Sequence, residues 1–531
     1  MSSATLTFDQ EVWRPKYNPW LVAVVVAMAA FMEVLDTSIA NVALPYIAGN
    51  LAASNDQSTW VLTSYLVSNA IILPISGWLA GAFGRKRFFM TCLTLFTFSS
   101  FLCGIAPSLA MLLFFRVLQG AGGGGLQPMA QAILADTFPP QQRGLAFALY
   151  GITAVIAPTI GPTLGGWITF NYSWRWIFFI NIPIGLLAWV LIRRFVEDPP
   201  YLARMKGAGV KLDYIGIALL SLGIGALQVV LDKGQEDDWF GSHFITTLII
   251  IATVCLISLV IWEWFQKAPI IDVHLFKNLN FAGSNLMMFM TGVMLFSSLV
   301  LIPQFLQTLI GYTAEIAGFA LSAGGLVLLF EMPIAGRLTS MVQARRLIAF
   351  GWLAMTVAMY YSTQRIDLQI SFAAATWLRI FQVVGLGFLF VPISLAAYVG
   401  IAPEKNNAVS GMVNFMRNMG SSVGTSMVTT LIARRSQFHQ EILGGYVRQG
   451  NFNLQSTTNF LSHHVATAGT GTPDAQLHSY AIIYQQVQAQ AATLSYVDTF
   501  MVLAVLSAIM FFLSFFLKKN DPGGGGDLAV G

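Results

Sequence analysis

Glu33 and Asp36 lie three residues apart in a run from Trp20 to Leu44 that is otherwise almost wholly apolar. On a helix that spacing places both carboxylates on one face. Two carboxylates so close in an apolar medium repel, and the repulsion favours a proton on one of them near neutral pH. Such a pair could carry protons; the alternative is a structural pair of polar residues held by hydrogen bonds or basic neighbours. Arg116, Glu331, Arg379 and Arg417 are the other charges that fall within apolar runs. Burying a charge there is costly, so each is a candidate for an ion or substrate path.

The elements that must position these six residues follow from composition. Of 531 residues, 56% are hydrophobic and 10% charged, against roughly 25% charged in a soluble domain. Too few charges remain to coat the surfaces that such a large apolar content would need, so the expected solvent is the lipid bilayer. Basic residues are scattered as short clusters between apolar runs, which argues against nucleic acid despite the net charge of +4. Cys92, Cys103 and Cys255 all lie in apolar stretches, which excludes a disulfide framework and a cysteine metal site. The first apolar run is longer than a signal-peptide core and is expected to remain as a membrane helix.

A helix needs about 20 apolar residues to cross the hydrocarbon core. On that basis the chain holds fourteen expected spans, at 20–44, 58–82, 88–106, 109–135, 143–167, 174–196, 212–232, 243–265, 281–310, 316–336, 345–363, 371–399, 406–433 and 496–518. With the termini placed in the cytoplasm, inner segments hold 19 Lys and Arg and outer segments 6, the asymmetry of the positive-inside rule. One connection is long: residues 434–495 form an outer segment rich in Ser, Thr, Asn, Gln and Gly, whose second half, Asp474 to Ser495, reads as a helix. Within it an apolar stripe of Ile482, Ile483 and Val487 is bordered by Gln485, Gln486, Gln488 and Gln490, a pattern suited to a reversible protein contact. The Gly523 to Gly526 run reads as a flexible tail.

An internal repeat organises the spans. Pro74-Ile75-Ser76-Gly77-Trp78-Leu79 in span 2 returns as Pro333-Ile334-Ala335-Gly336-Arg337-Leu338 in span 10, and Arg116 with Gln119 in span 4 returns as Arg379 with Gln382 in span 12. Span n thus matches span n+8. Two six-helix halves of the same orientation flank two additional central helices, an arrangement of parallel repeats about an axis along the membrane normal. The expected organisation is a cytoplasmic N-terminus (1–19), a first half (20–196), the two central helices with their linkers (197–280), a second half (281–518) that includes the outer segment, and a cytoplasmic tail (519–531). The fold class is all-α and integral to the membrane.

Counting residues from the outer ends of spans 1 and 4 puts Asp36 and Arg116 at a similar depth, roughly 10 to 14 Å. They could pair directly or through Gln119 or water. Glu331 falls near the inner end of span 10 close to Arg337, and is expected as a gate-side pair partner. Arg379 has no repeat mate of Asp36 to pair with; it and Arg417 could attract an anionic substrate or pack against backbone carbonyls. Gly151, Gly161, Gly165 and Gly166 recur at helical spacing with Pro158 and Pro162, which permits close helix approach and a local bend.

At these residues the chain resembles the major facilitator superfamily over nearly its whole length. Gly77 to Gly84-Arg85-Lys86-Arg87 resembles the loop motif between helices 2 and 3, although Gly81 stands where that motif usually has Asp. Arg116 to Gly120 resembles the helix 4 motif, and Gly151 to Gly166 the antiporter motif of helix 5, which in the family seals the outer side against leak. Leu35-Asp36 to Asn41 and Pro45, with Trp174-Arg175-Trp176 to Asn181 and Pro183, resembles the fourteen-helix drug:proton antiporter branch. Leu231-Asp232-Lys233-Gly234, the acidic Trp-containing loop after it, the long last outer segment and the Gly-rich tail resemble the inner-membrane pumps of tripartite efflux systems. The resemblance implies hydrophobic drugs and protons as the transported species, a periplasmic adaptor and an outer-membrane channel as partners, and the cell inner membrane as location.

The residues themselves exclude some chemistries. The chain has no G-x-x-x-x-G-K-[ST] sequence, and the match of Gly120 to Gly125 to G-x-G-x-x-G lies inside an apolar span with no strand before it, so no nucleotide site is expected and the energy should come from a proton gradient. Five of the six histidines fall in loops and His243 stands at the very start of a span, and the pair His463-His464 lacks the further spaced ligands of a metal site. No cofactor and no metal are expected. The leading expectation is a drug:proton antiporter with a midplane cavity lined by helices 1, 2, 4 and 5 and their mates, including Glu33, Asp36 and Arg116. A solute importer or symporter on the same fold is disfavoured by the helix 5 motif. An intramembrane enzyme lacks a nucleophile or metal constellation, and a lipid or fatty-acid flippase or exporter is the remaining alternative.

Overall fold

Short polar caps punctuate the apolar runs and set where each helix begins. In the computed structural model, which describes residues 15–199, 213–266, 269–448, 451–467 and 472–518, Asn18 accepts from the Trp20 amide, Ser54 and Gln57 form a reciprocal capping box, and Ser108, Thr313 and Ser371 each cap a helix by accepting from one backbone amide. Each cap satisfies one of the orphan amides that a helix N-terminus would otherwise present. Gly84, with φ of 90°, makes the one-residue turn between the second and third helices, a backbone conformation that glycine adopts without steric cost. The first 14 residues, the cluster Arg204, Lys206 and Lys211, and the C-terminal tail lie outside the described residues.

The first half consists of α1 (Pro19–Asn50), α2 (Asn55–Phe83), α3 (Arg85–Ile105), α4 (Leu109–Gly123), α5 (Leu126–Thr137), α6 (Pro140–Asn171), α7 (Trp176–Phe179) and α8 (Asn181–Phe195). Two further helices, α9 (Tyr214–Lys233) and α10 (His243–Phe265), precede the second half: α11 (Leu279–Thr308), α12 (Ala314–Leu338), α13 (Ala344–Arg365), α14 (Phe372–Ala396), α15 (Asn406–Tyr446), α16 (Phe452–Thr467) and α17 (Thr472–Ser514). The expected fourth and sixth spans are each interrupted, at Gly124-Gly125 and at Ile180. The glycine run also lets the fourth approach its neighbours closely: a Cβ at Gly122 would stand 2.6 Å from the Phe96 amide nitrogen, and one at Gly124 2.7 Å from the Asn69 carbonyl oxygen.

Among the described residues, twelve helical segments are long and apolar enough to cross a membrane. By composition α13 and α15 fall outside that group, yet α13 packs on α14 and α17, and α15 on α11, α2 and α17. Both lie inside the bundle, consistent with fourteen spans. Large apolar side chains point outward along the bundle, Phe114, Phe170, Leu186, Ile250 and Phe265 among them, a surface that only lipid can cover without an aggregation penalty. The α10 helix is the most exposed of the spans and packs mainly on α9. In turn α9 is fixed to α2, where Asp232 accepts from Thr63 and Lys233 donates to Thr59, and to α15, where Gln228 donates to Ser422 at 2.9 Å.

The outer segment 434–495 is helical in its second half, as expected, and largely helical in its first half as well. Helix α15 continues 13 residues past 433, α16 fills the middle, and α17 begins at Thr472 and runs without a break into the last span. The polar content that read as a loop is the solvated surface of these helices. Arg435 and His439 both meet Asp498, at 2.6 and 2.7 Å, and Gln440 donates to Tyr484 at 3.2 Å. These contacts tie the two long helices together beyond the bundle. In the glutamine-bordered stripe, Ile483 and Val487 are half-buried within this assembly and only Ile482 is exposed.

Candidate functional site

Two polar clusters occupy the interior of the first half, and they divide the two carboxylates of α1. Asp36 belongs to the first. Its Oδ2 accepts from Arg116 Nη1 at 2.6 Å, while Oδ1 accepts from Gln119 Nε2 at 2.9 Å and from Asn181 Nδ2 at 2.6 Å. Arg116 also donates from Nε to the Val61 carbonyl at 3.0 Å and from Nη1 to Gln119 Oε1 at 2.7 Å, and the Tyr65 ring lies 4.3 Å from its guanidinium carbon. Gln119 completes the cluster by donating to Ser100 at 2.6 Å. All of these side chains are buried, so the desolvation cost of the ion pair is offset by a nearly complete set of charge-assisted hydrogen bonds.

Glu33 turns into the second cluster. Its Oε1 accepts from Tyr65 Oη and Asn69 Nδ2, each at 3.0 Å, and its Oε2 accepts from Gln127 Nε2. Gln127 Oε1 in turn accepts from Arg417 Nη2 of α15, and Asn418 of the same helix donates to Asn69 at 3.3 Å. Glu33 is thereby joined to the second half by way of α5 and α2. Tyr65 belongs to both clusters, with its hydroxyl on Glu33 and its ring over Arg116. Hence the carboxylates expected to share one environment have separate ones, because Asp36 turns toward α4 and α8 and Glu33 toward α2, α5 and α15.

A cavity of about 500 Å³ runs from Glu33, Gln127 and Arg417 at mid-depth to Asp232, Gln235 and Glu236 at the end of α9. Its wall on α11 and α12 is apolar (Leu295, Phe296, Leu299, Val300, Leu321), while α15 contributes hydroxyls, Ser421, Ser422, Thr425, Ser426 and Thr429. An amphipathic wall of this kind suits an amphipathic ligand. Glu33 and Arg417 line it; Asp36 and Arg116, expected there, lie behind Tyr65 and do not. The α9 helix lines the cavity although it was expected only as an addition to the fold, whereas α14, the repeat mate of the fourth span, does not line it.

The opposite, basic end of the bundle is closed. Here Gly77 of α2 meets α15, where a Cβ would stand 2.8 Å from the Asn407 carbonyl oxygen and Ala408 Cα, and Gly144 of α6 meets Gly336 of α12. Phe147 stacks on Tyr398 at 5.7 Å, and Tyr150 donates to Asn414 at 2.8 Å. Arg85 forms a buried ion pair with Asp136 of α5, which also accepts from Asn406 at the start of α15 at 2.6 Å. Although Gly81 replaces the usual Asp of the loop motif, a carboxylate still joins the halves at this end, supplied by Asp136. Lys86 donates to the Arg193 carbonyl at 2.7 Å and Arg87 is exposed.

Glu331 does not pair with Arg337. Their separation of six positions places them on different sides of α12: Glu331 is buried against Gly387 of α14, and Arg337 is exposed. In the helix 5 motif, Gly161 and Gly165 meet Ser38 and Ile39 of α1, and Gly151 meets Met332 and Phe390 of the second half. Gly166 differs: the nearest atom to a Cβ there is Val42 Cγ1 at 3.8 Å, so close approach does not explain it. Pro158 and Pro162 line the cavity within a continuous α6. Arg379 is fully buried and donates to Ser298 at 2.7 Å. Asn69, Gln127, Asn414 and Asn418 were missed when only charges were sought; amides and tyrosines inside apolar runs are the signal that would have found them.

The profile of the Major Facilitator Superfamily matches residues 26–425. The chain is 36% identical over 506 residues to the multidrug export protein EmrB of Escherichia coli strain K12, covering 95% of this chain and 96% of that one. It is 37% identical to the fatty acid resistance protein FarB of Neisseria gonorrhoeae, covering 94% and 96%. In fold it is similar to the proton:xylose symporter XylE bound to 6-bromo-6-deoxy-D-glucose, with a TM-score of 0.58, 15% identity and coverage of 94% and 96%. A repeated pair of six-helix halves, a cavity between them and a buried ion pair at the basic end are thus found in a chain that belongs to the major facilitator superfamily of membrane transporters, among the relatives of the EmrB export proteins.

Proposed function

We propose that the chain is a proton-coupled multidrug efflux antiporter of the cell inner membrane, with both termini in the cytoplasm, that exports hydrophobic and amphipathic compounds from the cytoplasm or inner leaflet. The observation that carries this reading is the cavity itself, apolar on α11 and α12, hydroxyl-lined on α15 and floored by Glu33 and Arg417. With the basic end taken as cytoplasmic, the cavity faces outward, the state in which drug leaves and protons enter. Protonation of Glu33 would weaken its hold on Gln127 and so on Arg417, loosening a bond between the halves. Asp36, released by protonation from Arg116, would be the coupling residue, with Tyr65 reporting the state of one cluster to the other.

The proton gradient is the energy source in this reading, and no cofactor takes part. The partners are a periplasmic adaptor of the EmrA type and an outer-membrane channel of the TolC type, with the extended α15, α16 and α17 as the adaptor's platform. The presence of Arg417 in the wall favours a second class of cargo, amphiphiles with an anionic head such as fatty acids. Uptake into everted vesicles under an imposed pH gradient tests the proposal. Accumulation of a cationic dye that collapses with a protonophore is expected, and transport indifferent to the gradient would reject proton coupling.

A further inference from the structure

The two halves treat their matching arginines differently. Arg116 meets a carboxylate, a backbone carbonyl and an amide oxygen, and an aromatic ring covers it. Arg379, its repeat mate, is 0% exposed and makes one hydrogen bond, from Nη1 to Ser298 Oγ at 2.7 Å. Its Nε and Nη2 have no hydrogen-bond partner among the described residues, and no ion pair found there includes it. The rest of the cluster is kept: Gln382 donates to Ser362 at 3.1 Å as Gln119 donates to Ser100. What changes is the partner on the leading helix, where Ser298 of α11 takes toward Arg379 the part that Asp36 of α1 takes toward Arg116. At the repeat position of Tyr65 stands Gly324, whose missing side chain leaves the arginine stem uncovered by a ring.

A guanidinium cannot shed its charge in a protein. An isolated one in an apolar interior carries a large desolvation cost unless an opposite charge is brought to it. Since none of the described residues supplies one, we propose that the Nε and Nη2 groups of Arg379 bind a monovalent anion, either a halide from solution or the carboxylate of an amphiphile. Arg379 offers two free N–H directions to the anion. Ser298 donates to the carbonyl of Leu295, and Leu295, Leu299 and Leu321, which neighbour Ser298 and Gly324 in sequence, line the cavity.

The repeat supplies the decisive variant. Ser298→Asp places in the second half the carboxylate that the first half already has, and should neutralise Arg379 from within. The test follows thermal unfolding of the purified full-length protein by tryptophan fluorescence, in gluconate at constant ionic strength, with chloride, bromide or octanoate substituted in. A saturable rise of a few degrees is expected for the wild type, as a ligand bound only by the native state produces. The rise should be absent in Ser298→Asp and in Arg379→Gln. A response to chloride and bromide assigns the site to halides, and a response to octanoate alone assigns it to a cargo carboxylate; either supports an anion site. An equal rise in wild type and both variants would be a general salt effect and would overturn the proposal, as would no rise in the wild type. If Ser298→Asp does not fold, Arg379→Gln carries the comparison.

Discussion

Arg417, on α15 of the second half, donates to the side-chain oxygen of Gln127 on α5 of the first, and the nitrogen of that same amide donates to Glu33. One glutamine therefore bridges a carboxylate on one side of the seam and a guanidinium on the other. A neutral glutamate accepts more weakly from an amide than an ionised one does, since hydrogen bonds to charged groups are roughly twice as strong.

Gln127→Leu should break this bridge while leaving Glu33 its bonds to Tyr65 and Asn69. Losing bonds to charged groups costs about 1.5–3 kcal/mol each, which translates to a drop in transport of roughly 10- to 200-fold for each of the two bonds that forms part of the transport cycle. Vesicle uptake of a cationic and an anionic amphiphile, compared in the same membranes, checks the effect. Uptake of both at the wild-type rate would remove Gln127 from the mechanism.

Asp36→Asn should abolish pH-driven transport with expression intact. An amide keeps an acceptor for Arg116 but cannot exchange a proton, so the two states needed for coupling collapse to one. Leaving Arg116 without a counter-charge also costs stability, and Asp36→Glu separates the two effects by restoring the charge at a longer reach. Gradient-driven uptake by the Asn variant at the wild-type rate would mean that Asp36 is structural.

The helix 5 motif divides into positions with different expected tolerance. Gly161 and Gly165 meet Ser38 and Ile39 of α1 so closely that Leu at either should block packing, with an overpacking cost of about 1–3 kcal/mol or more and loss of turnover. Gly166 has only Val42 near, at 3.8 Å, so Gly166→Ala should retain at least half of wild-type transport. A Gly166→Ala variant as inactive as Gly161→Leu would show that the motif acts through something besides helix approach.

The helices and the repeat were legible in the sequence because lipid forces a simple code: about 20 apolar residues per span, and basic clusters between them. The pairing of Arg116 with Asp36 followed from equal depth alone. Depth does not fix azimuth, however, and the separation of Glu33 from Asp36 depends on which neighbours α1 turns each toward. A three-residue step rotates a helix by some 60° away from eclipse, enough to send one carboxylate to α4 and α8 and the other to the cavity. Glu331 fails for the same reason, since six residues place Arg337 on another side of α12. The 434–495 segment was unreadable as helix in its first half because its polar surface carries no apolar run, and its order comes from packing on α17.

That segment carries the remaining prediction. Helices α15 and α17 extend past the bundle as a tied pair, and α16 lies against α17. Phe452, Phe460, Leu477 and Tyr480 stay exposed, at 79%, 63%, 71% and 50%. These large apolar side chains sit beyond the polar contacts of Arg435, His439 and Gln440, where the adaptor proposed above would meet them. Replacing residues 447–475 with a short Gly/Ser linker would remove α16 and the outermost turn of α17 while keeping the ion pair of Arg435 with Asp498 that holds the stem. Transport in everted vesicles should persist, because the cavity and both polar clusters are untouched. Copurification with the adaptor and drug resistance of whole cells should both fall to the level of cells lacking the pump. Undiminished copurification would place the adaptor's contact elsewhere on the molecule.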